Sequence, residues 1–375
     1  MIYLDNAATT KPCDECCKAV IQAMENSFGN ASSLHKLGTD SLQIISRTKR
    51  TLLSALSGTK TPLDGEIIFT SGATESNNTA LVGASHRFFG GLFKGKDARR
   101  IVSTAIEHPS VAKTLERFEE DGLEVVRLAP KDHADFIKGI VDSVDENTVL
   151  ISAMAVNNET GFAIDVPLLY KQVKRKNPKT IVHIDAVQGF LKMPLDGDLI
   201  SVSGHKIHST KGIGALYIRK GENILPIMTG GGQQHGLRSG TEPVELIAGF
   251  EAAINAYRGT REGFSALKAH LLDRLSGMED ISINSGDDCL PNIVNFSVRG
   301  VRSEIMLHSL EEDGIYVSSG SACSKGKKSG VLSAFGISDK DADCAVRVSF
   351  CAENTNSDID ALCDKIEKTI KRIRR

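Results

Sequence analysis

Lys206 lies in the run SGHK, immediately after the apolar stretch 199–202. A lysine at a strand end in a cleft forms a Schiff base when desolvation or neighbouring cations depress its pKa; a lone lysine more often faces solvent. Asp185, in HIDAVQ, ends the apolar stretch before it. If the two strands are neighbours, the pair supplies what a pyridoxal cofactor needs: an amine for the imine, and a carboxylate that keeps the ring nitrogen protonated. Asp also caps helices, so Asp185 counts only together with Lys206. Ser71-Gly72-Ala73-Thr74 joins another apolar stretch to a helical pattern opening near Glu75. Small residues and free N–H groups at a helix start bind phosphate, and Ser71, Thr74, Ser203 and His205 offer further donors. A plain capping turn would use the same residues. His108, after Glu107, can stack on an aromatic cofactor and move protons near neutral pH, or serve structure alone. Arg347, in VRVSF, has the fork that grips a carboxylate in two places, whether of a substrate or of a salt-bridge partner. Cys323 sits beside Lys325, Lys327 and Lys328 in VSSGSACSKGKKSG. An exposed thiol amid cations is shifted toward the attacking thiolate.

These clusters follow apolar strands. The expected strands are 66–70, 100–104, 123–128, 149–156, 181–184, 199–203 and 215–218, with helical patterns between several of them. Val111, Leu115 and Phe118 recur at helical spacing behind Pro109, which a first helical turn tolerates. Strands alternating with helices imply a largely parallel sheet covered on both faces. Ligands then bind beyond the carboxyl ends of the strands, where Ser71–Thr74, Glu107-His108, Asn157-Asn158-Glu159, 185–188 and 203–206 all fall. Beyond about residue 255, helical patterns at 263–275, 303–313 and 357–373 mix with short strands at 293–298 and 346–350. The reading is a large domain over 13–255 and a smaller α+β domain made of 1–12 and 256–375. The Gly-, Ser- and Lys-rich segment at about 318–330 is expected to be an exposed, mobile loop.

The 375 residues suit two domains, and 41% apolar and 25% charged residues are ordinary for a globular chain. A net charge of −2 excludes a broad basic footprint, so no direct nucleic-acid binding is expected. No stretch approaches the roughly 18 to 20 apolar residues of a membrane span, and MIYLDNAATT has no basic flank, so a cytoplasmic protein is expected. The eight cysteines do not suggest a disulfide framework. Cys13, Cys16 and Cys17 read as helix-entry thiols and not as a metal site, since no second pair follows.

Together, YLDNAATT, FTSGATESNN, EHPSV, VNNETG, HIDAVQ, SGHKIHSTKGIGALY, GGGQQHGLRSGTEP and VSSGSACS resemble the NifS/IscS-type cysteine desulfurases. These are class V members of the fold-type-I pyridoxal-phosphate enzymes. The motifs occur in the family's order from residue 3 to about 350. The resemblance implies that Lys206 holds pyridoxal 5'-phosphate as an imine, Asp185 pairs with the ring nitrogen and Gln188 with the phenolic oxygen. It implies that His108 stacks on the ring and assists proton transfer, and that Ala73, Thr74, Ser203 and His205 bind the phosphate. Thr241 would reach the phosphate of a neighbouring subunit in a homodimer. Asn157 and Arg347 would hold the carboxylate of L-cysteine, Asn157 also lying against the cofactor. Cys323 would take the substrate's sulfur as a persulfide and leave alanine.

Ala31 stands where the family usually has Pro, which affects turn rigidity. The segment after Cys323 is shorter and more basic than in housekeeping members, and the chain ends at KRIRR without a scaffold-docking extension. An iron–sulfur scaffold and a tRNA-thiolation protein are thus both open as sulfur acceptor. The alternatives are a selenocysteine lyase or another class V enzyme, and a non-catalytic sulfur carrier. Lys206, Asp185 and Cys323 together speak against the carrier.

Overall fold

The computed structural model describes residues 1–58, 62–89 (backbone alone at 85–89), 100–132, 135–319 and 330–373. Cys323 and its lysine neighbours lie outside them. Along the chain the elements are β1 (Ile2–Tyr3), α1 (Asp14–Asn26), α2 (Lys36–Ser57), β2 (Gly65–Thr70), α3 (Ala73–Phe89), β3 (Arg100–Thr104), α4 (Pro109–Glu120), β4 (Glu124–Leu128), α5 (Phe136–Asp142), β5 (Thr148–Met154), α6 (Val166–Lys176), β6 (Ile181–Asp185), β7 (Leu199–Ser203) and β8 (Gly214–Arg219). Then follow α7 (Val244–Ala256), α8 (Arg261–Ser276), β9 (Ile281–Ile283), β10 (Ile293–Val298), α9 (Ser303–Glu312), β11 (Ile315–Tyr316), β12 (Ser318–Ser319), α10 (Gly330–Ala334), α11 (Asp339–Asp343), β13 (Ala345–Ser349) and α12 (Asn356–Ile373).

The large sheet has the order β2-β8-β7-β6-β5-β3-β4. Its apolar side chains alternate between two cores, as a period of two requires. Phe69, Val102, Ile151, Val182, Ile200 and Tyr217 enter one core. Ile68, Ile101, Leu150, Ile181, Leu199 and Leu216 enter the other. With both faces covered, β5, β6 and β7 are buried along their whole length. The run expected as a strand to residue 156 ends at Met154, where the chain turns into Asn157.

β4, β3, β5, β6 and β7 run parallel. β8 is antiparallel to both β7 and β2. The connection between β7 and β8 carries no crossover helix, and a strand joined that way can only return antiparallel. Two reversals restore the direction of β2, so the carboxyl ends of β2, β3, β5, β6 and β7 share one edge.

A second core gathers Leu4, Phe264, Leu271, Val294, Phe296, Leu310, Val346, Val348, Ile359, Leu362 and Ile366. Its sheet has the order β12-β13-β10-β9 and is antiparallel. β1 joins it from the chain start by pairing with β11. Cys13 is the N-cap of α1, its Sγ accepting from the Cys16 backbone N–H at 3.4 Å, as a helix-entry thiol does. Among the described residues no helix is long and apolar enough to cross a membrane.

Gly214 opens β8 where three backbones meet. A Cβ there would lie 2.7 Å from the Val202 carbonyl oxygen and 2.8 Å from Gly72 Cα. Neither neighbour is a side chain that could turn away. Gly214→Ala is therefore expected to cost about 1–3 kcal/mol of stability through overpacking, read by urea denaturation.

Candidate active site

The shared strand edge collects the polar clusters. Ser71 and Gly72 link β2 to α3, and Gly72 takes a φ of +153°. A Cβ on Gly72 would sit 3.9 Å from Ser203 Oγ, so the start of α3 adjoins the end of β7. Ala73 and Thr74 form the first turn of α3, Thr74 exposed. The Ser71 N–H donates to Glu75 Oε2 at 2.8 Å, and Glu75 is ion-paired with Arg238 at 2.8 Å. Hydrogen bonds to Arg238 and Ser71 outweigh burial and hold the Glu75 carboxyl below the usual range.

Asp185, the last residue of β6, pairs in register with Ser201 of β7 and is 4% exposed. Its Oδ1 accepts from the Val187 N–H at 3.0 Å and its Oδ2 from Asn77 Nδ2 at 2.8 Å. Asn77 Nδ2 also donates to Ser110 Oγ at 2.8 Å. Ser110 Oγ lies 2.8 Å from His108 Nδ1, which also accepts the Ser110 backbone N–H at 3.2 Å as the N-cap of α4. Burial lowers the His108 pKa, Asp185 opposing and Lys206 adding to that shift. Glu107 is buried, its Oε1 accepting from Thr104 Oγ1 at 2.5 Å and from the Met154 N–H at 2.8 Å. Burial first, and the nearby Asp185 charge, push the Glu107 carboxyl up to about 8.

Lys206 stands in the short helical turn 204–206 after β7. Its Nζ donates to the carbonyls of Ala7 at 2.6 Å and Ala8 at 2.8 Å. The buried Gln188 donates to the same Ala7 oxygen at 2.8 Å. His205 Nδ1 lies 3.2 Å from Thr9 Oγ1. Burial, then Lys206, pushes the His205 imidazole down to about 4. Lys192 borders a small cavity with Lys206, Gln188, Asn6 and Cys351. Burial, then Lys206, pushes its amine down to about 7.

Asn157 is fully buried. Its Oδ1 accepts from the Glu159 and Thr160 N–H groups and from Thr160 Oγ1, and its Nδ2 donates to the Ile106 carbonyl at 3.0 Å. In this conformation its carboxamide shapes the turn that follows β5. Arg347 is 4% exposed in the middle of β13, paired with Asp5 at 2.6 Å and donating to the Asn158 carbonyl at 3.0 Å. Thr241 is exposed.

The edge thus gathers the start of α3, His108, Asp185, Gln188, Ser203, His205 and Lys206. Arg347 and Asn157 flank it, joined through the turn at 157–158. Sequence reading gave no role to Asn77, Ser110 or Asp5. No local signal marked Asn77, since Asn77 and Asn78 both lie one turn after the exposed Thr74 and only the packing of α3 turns the first inward. A buried carboxylate held by donors, an amine at the adjacent strand end, and a helix start that small residues leave open to close approach fit a pyridoxal-phosphate group.

A mostly parallel sheet between helices, with a smaller α+β unit, is the fold of the type I pyridoxal-phosphate enzymes. A solved NifS-like protein superposes with a TM-score of 0.87 at 32% identity, covering 99% of both chains. The chain matches the aminotransferase class-V family over residues 2–362 and belongs to that family. The cysteine desulfurase of Trichormus azollae is 35% identical over all of this chain and 94% of its own length. The cysteine desulfurase IscS of Klebsiella pneumoniae is 35% identical over all of this chain and 93% of its own.

Glu107 yields a pH test. Its folded-state pKa of about 8 lies above the ordinary 4.5. Between those values the folded chain binds the extra proton, so this carboxyl makes stability fall as pH rises, by roughly a few kcal/mol in all. Glu107→Gln copies the protonated form. Its stability is expected to decline less than wild type between pH about 5 and about 8 in urea titrations.

Proposed function

We propose that this chain is a pyridoxal-phosphate-dependent cysteine desulfurase, converting L-cysteine to L-alanine and passing the sulfur through a persulfide on Cys323 to an acceptor protein. The observation that carries this is the buried Asp185 carboxylate beside the strand end that bears Lys206. The relatives named as cysteine desulfurases support the substrate.

When bound, the cofactor withdraws electrons from the substrate's α-carbon. Lys206 is the amine that anchors it, Asp185 faces the ring nitrogen and Gln188 the phenolic oxygen. Ala73, Thr74, Ser203 and His205 hold the phosphate, and Thr241 reaches the phosphate in a partner subunit of a homodimer. His108, its pKa lowered by burial, would lie against the ring and move protons at Nε2. Arg347 and Asn157 orient the substrate carboxylate. For Arg347 this means exchanging or sharing its Asp5 partner, which lies at the same guanidinium. The Cys323 thiolate attacks the substrate sulfur. The S–S bond forms as the Cβ–S bond breaks, and the electron pair left on Cβ takes a proton to give alanine. Cys323 follows the last residue of β12 by four positions in sequence, and Ser318 of β12 pairs with Arg347.

The division into a body over 13–255 and a unit of 1–12 with 256–375 is supported by the separate core that Leu4 shares with α8, α9 and α12. A reducing, cytoplasmic setting is supported by the free thiols of the described cysteines. The acceptor is an iron–sulfur scaffold or a tRNA-thiolation enzyme.

Absorption spectra before and after L-cysteine, with alanine and sulfide assayed, test the reading. A visible band that shifts, with alanine formed one-for-one with sulfur, is the expected result; a protein that stays colourless and inert with added pyridoxal phosphate refutes it. Turnover preferring selenocysteine by a large factor would reassign the substrate. Lys206→Ala is expected to lose the visible band of the covalently held cofactor. Cys323→Ala is expected to keep that band and lose sulfur transfer by about a hundredfold or more; wild-type sulfur delivery by this variant would remove Cys323 as nucleophile.

A further inference from the structure

Asn77 is fully buried on α3, and its one amide nitrogen bridges Asp185 at the end of β6 and Ser110 in the first turn of α4. Nδ2 lies 2.8 Å from Asp185 Oδ2 and 2.8 Å from Ser110 Oγ. The orientation of the carboxamide follows from chemistry. Turned over, Oδ1 would face the carboxylate oxygen, acceptor against acceptor. With the nitrogen in place, both its hydrogens are committed as donors. Oδ1 is left buried with no hydrogen-bond partner. A carboxamide kept in the core with an unsatisfied oxygen is retained for what its nitrogen does.

The remaining protons follow in order. Ser110 Oγ accepts from Asn77, so its own hydrogen is free to go to His108 Nδ1 at 2.8 Å. The Ser110 backbone N–H points at the same Nδ1. A ring nitrogen that accepts twice carries no hydrogen, which leaves the proton on Nε2. The direction of the chain is therefore set at its far end by Asp185, which accepts only.

We propose that Asn77 is a positioning residue of the reaction: through Ser110 it ties the Asp185 carboxylate to His108 and fixes the imidazole as the Nε2–H tautomer. The role of His108 in proton transfer rests on the function proposed above; the tautomer does not. The relay spans α3, β6 and the start of α4, so it also sets the distance between the ring-nitrogen carboxylate and the stacked imidazole. Loss of the donor frees the Ser110 hydroxyl to rotate and leaves Asp185 with one protein donor fewer.

Nitrogen NMR of 15N-histidine-labelled protein, with His108→Gln used to identify the ring signals, reads the tautomer directly. Wild type is expected to show an unprotonated Nδ1 and a protonated Nε2 at pH about 8. Asn77→Leu, similar in volume but without a donor, is expected to average the two nitrogen signals. It is also expected to cut kcat by about tenfold or more while the KM for L-cysteine changes by less than about threefold. Circular dichroism reports whether the variant folds. Should it not, Ser110→Ala removes the hydroxyl step alone, keeps the Asn77–Asp185 bond, and is expected to move the His108 signals the same way. An unchanged His108 nitrogen pattern in the folded variant overturns the proposal, as does an averaged pattern in wild type. The nitrogen signals need no turnover. A protein that failed to desulfurise cysteine would thus sink the functional reading and leave this one standing.

Discussion

A sheet buried on both faces has no room for ionised side chains except at its strand ends, and that constraint arranges this molecule. Where a polar residue does sit within the sheet, it must be satisfied on the spot. His183 lies between Ser152 at 2.9 Å and Ser201 at 3.0 Å, and burial pushes its imidazole down to about 3. At the carboxyl edge Asp185 is the last residue of its strand and Lys206 the third beyond the next, while the buried Asp198 stands at the opposite edge, ion-paired with Lys174. The missing crossover between β7 and β8 matters here. Reversing the chain within a short loop places Lys206 in a tight turn against the sheet, and Gly214 lets that turn approach Gly72.

The edge is completed by residues from far away in sequence. The segment at 5–10 runs from the second core to the Lys206 turn. Asn6 donates to the Ser349 carbonyl at 2.9 Å, while Thr10 N–H and Oγ1 both donate to the His205 carbonyl. Ala7 accepts from Lys206 and Gln188 together. Arg347, itself 4% exposed, closes the other side, its charge matched by Asp5. A guanidinium that deep cannot stand without an anion, since removing one partner of a buried pair leaves an uncompensated charge. Asp5 is the anion that matches this guanidinium.

Much of this was legible in the sequence because strand periodicity and strand-end chemistry are both local. The stretches 100–104, 199–203 and 293–298 match β3, β7 and β10 residue for residue. Pro109 and the spacing of Val111, Leu115 and Phe118 located α4 and its buried face. What escaped depends on contacts that no spacing encodes. Nothing in TESNN distinguishes Asn77 from Asn78, yet the first is buried against Asp185 and the second reaches back to the Thr74 carbonyl. Likewise VRVSF does not reveal that Arg347 meets Asp5, because the pair closes through two strands joined from opposite ends of the chain.

The edge brings two carboxyl groups near one imidazole, and their surroundings send them apart. Asp185 is met by two donors from different segments, and its charge is felt by both neighbours. Glu107 has donors on one oxygen only, while Oε2 is buried without a partner. It is therefore the group that keeps its proton, at about 8. Such divergence assigns roles: one carboxylate bears the charge, and the other is a neutral strut beneath the loop. Were Glu107 ionised as well, two anions would share the edge with Lys206 and His108. The imidazole would then be drawn toward its protonated form and could no longer accept a proton. By staying neutral, Glu107 leaves Asp185 as the nearby anion to which His108 responds, and burial, with Lys206, outweighs it and lowers the imidazole pKa.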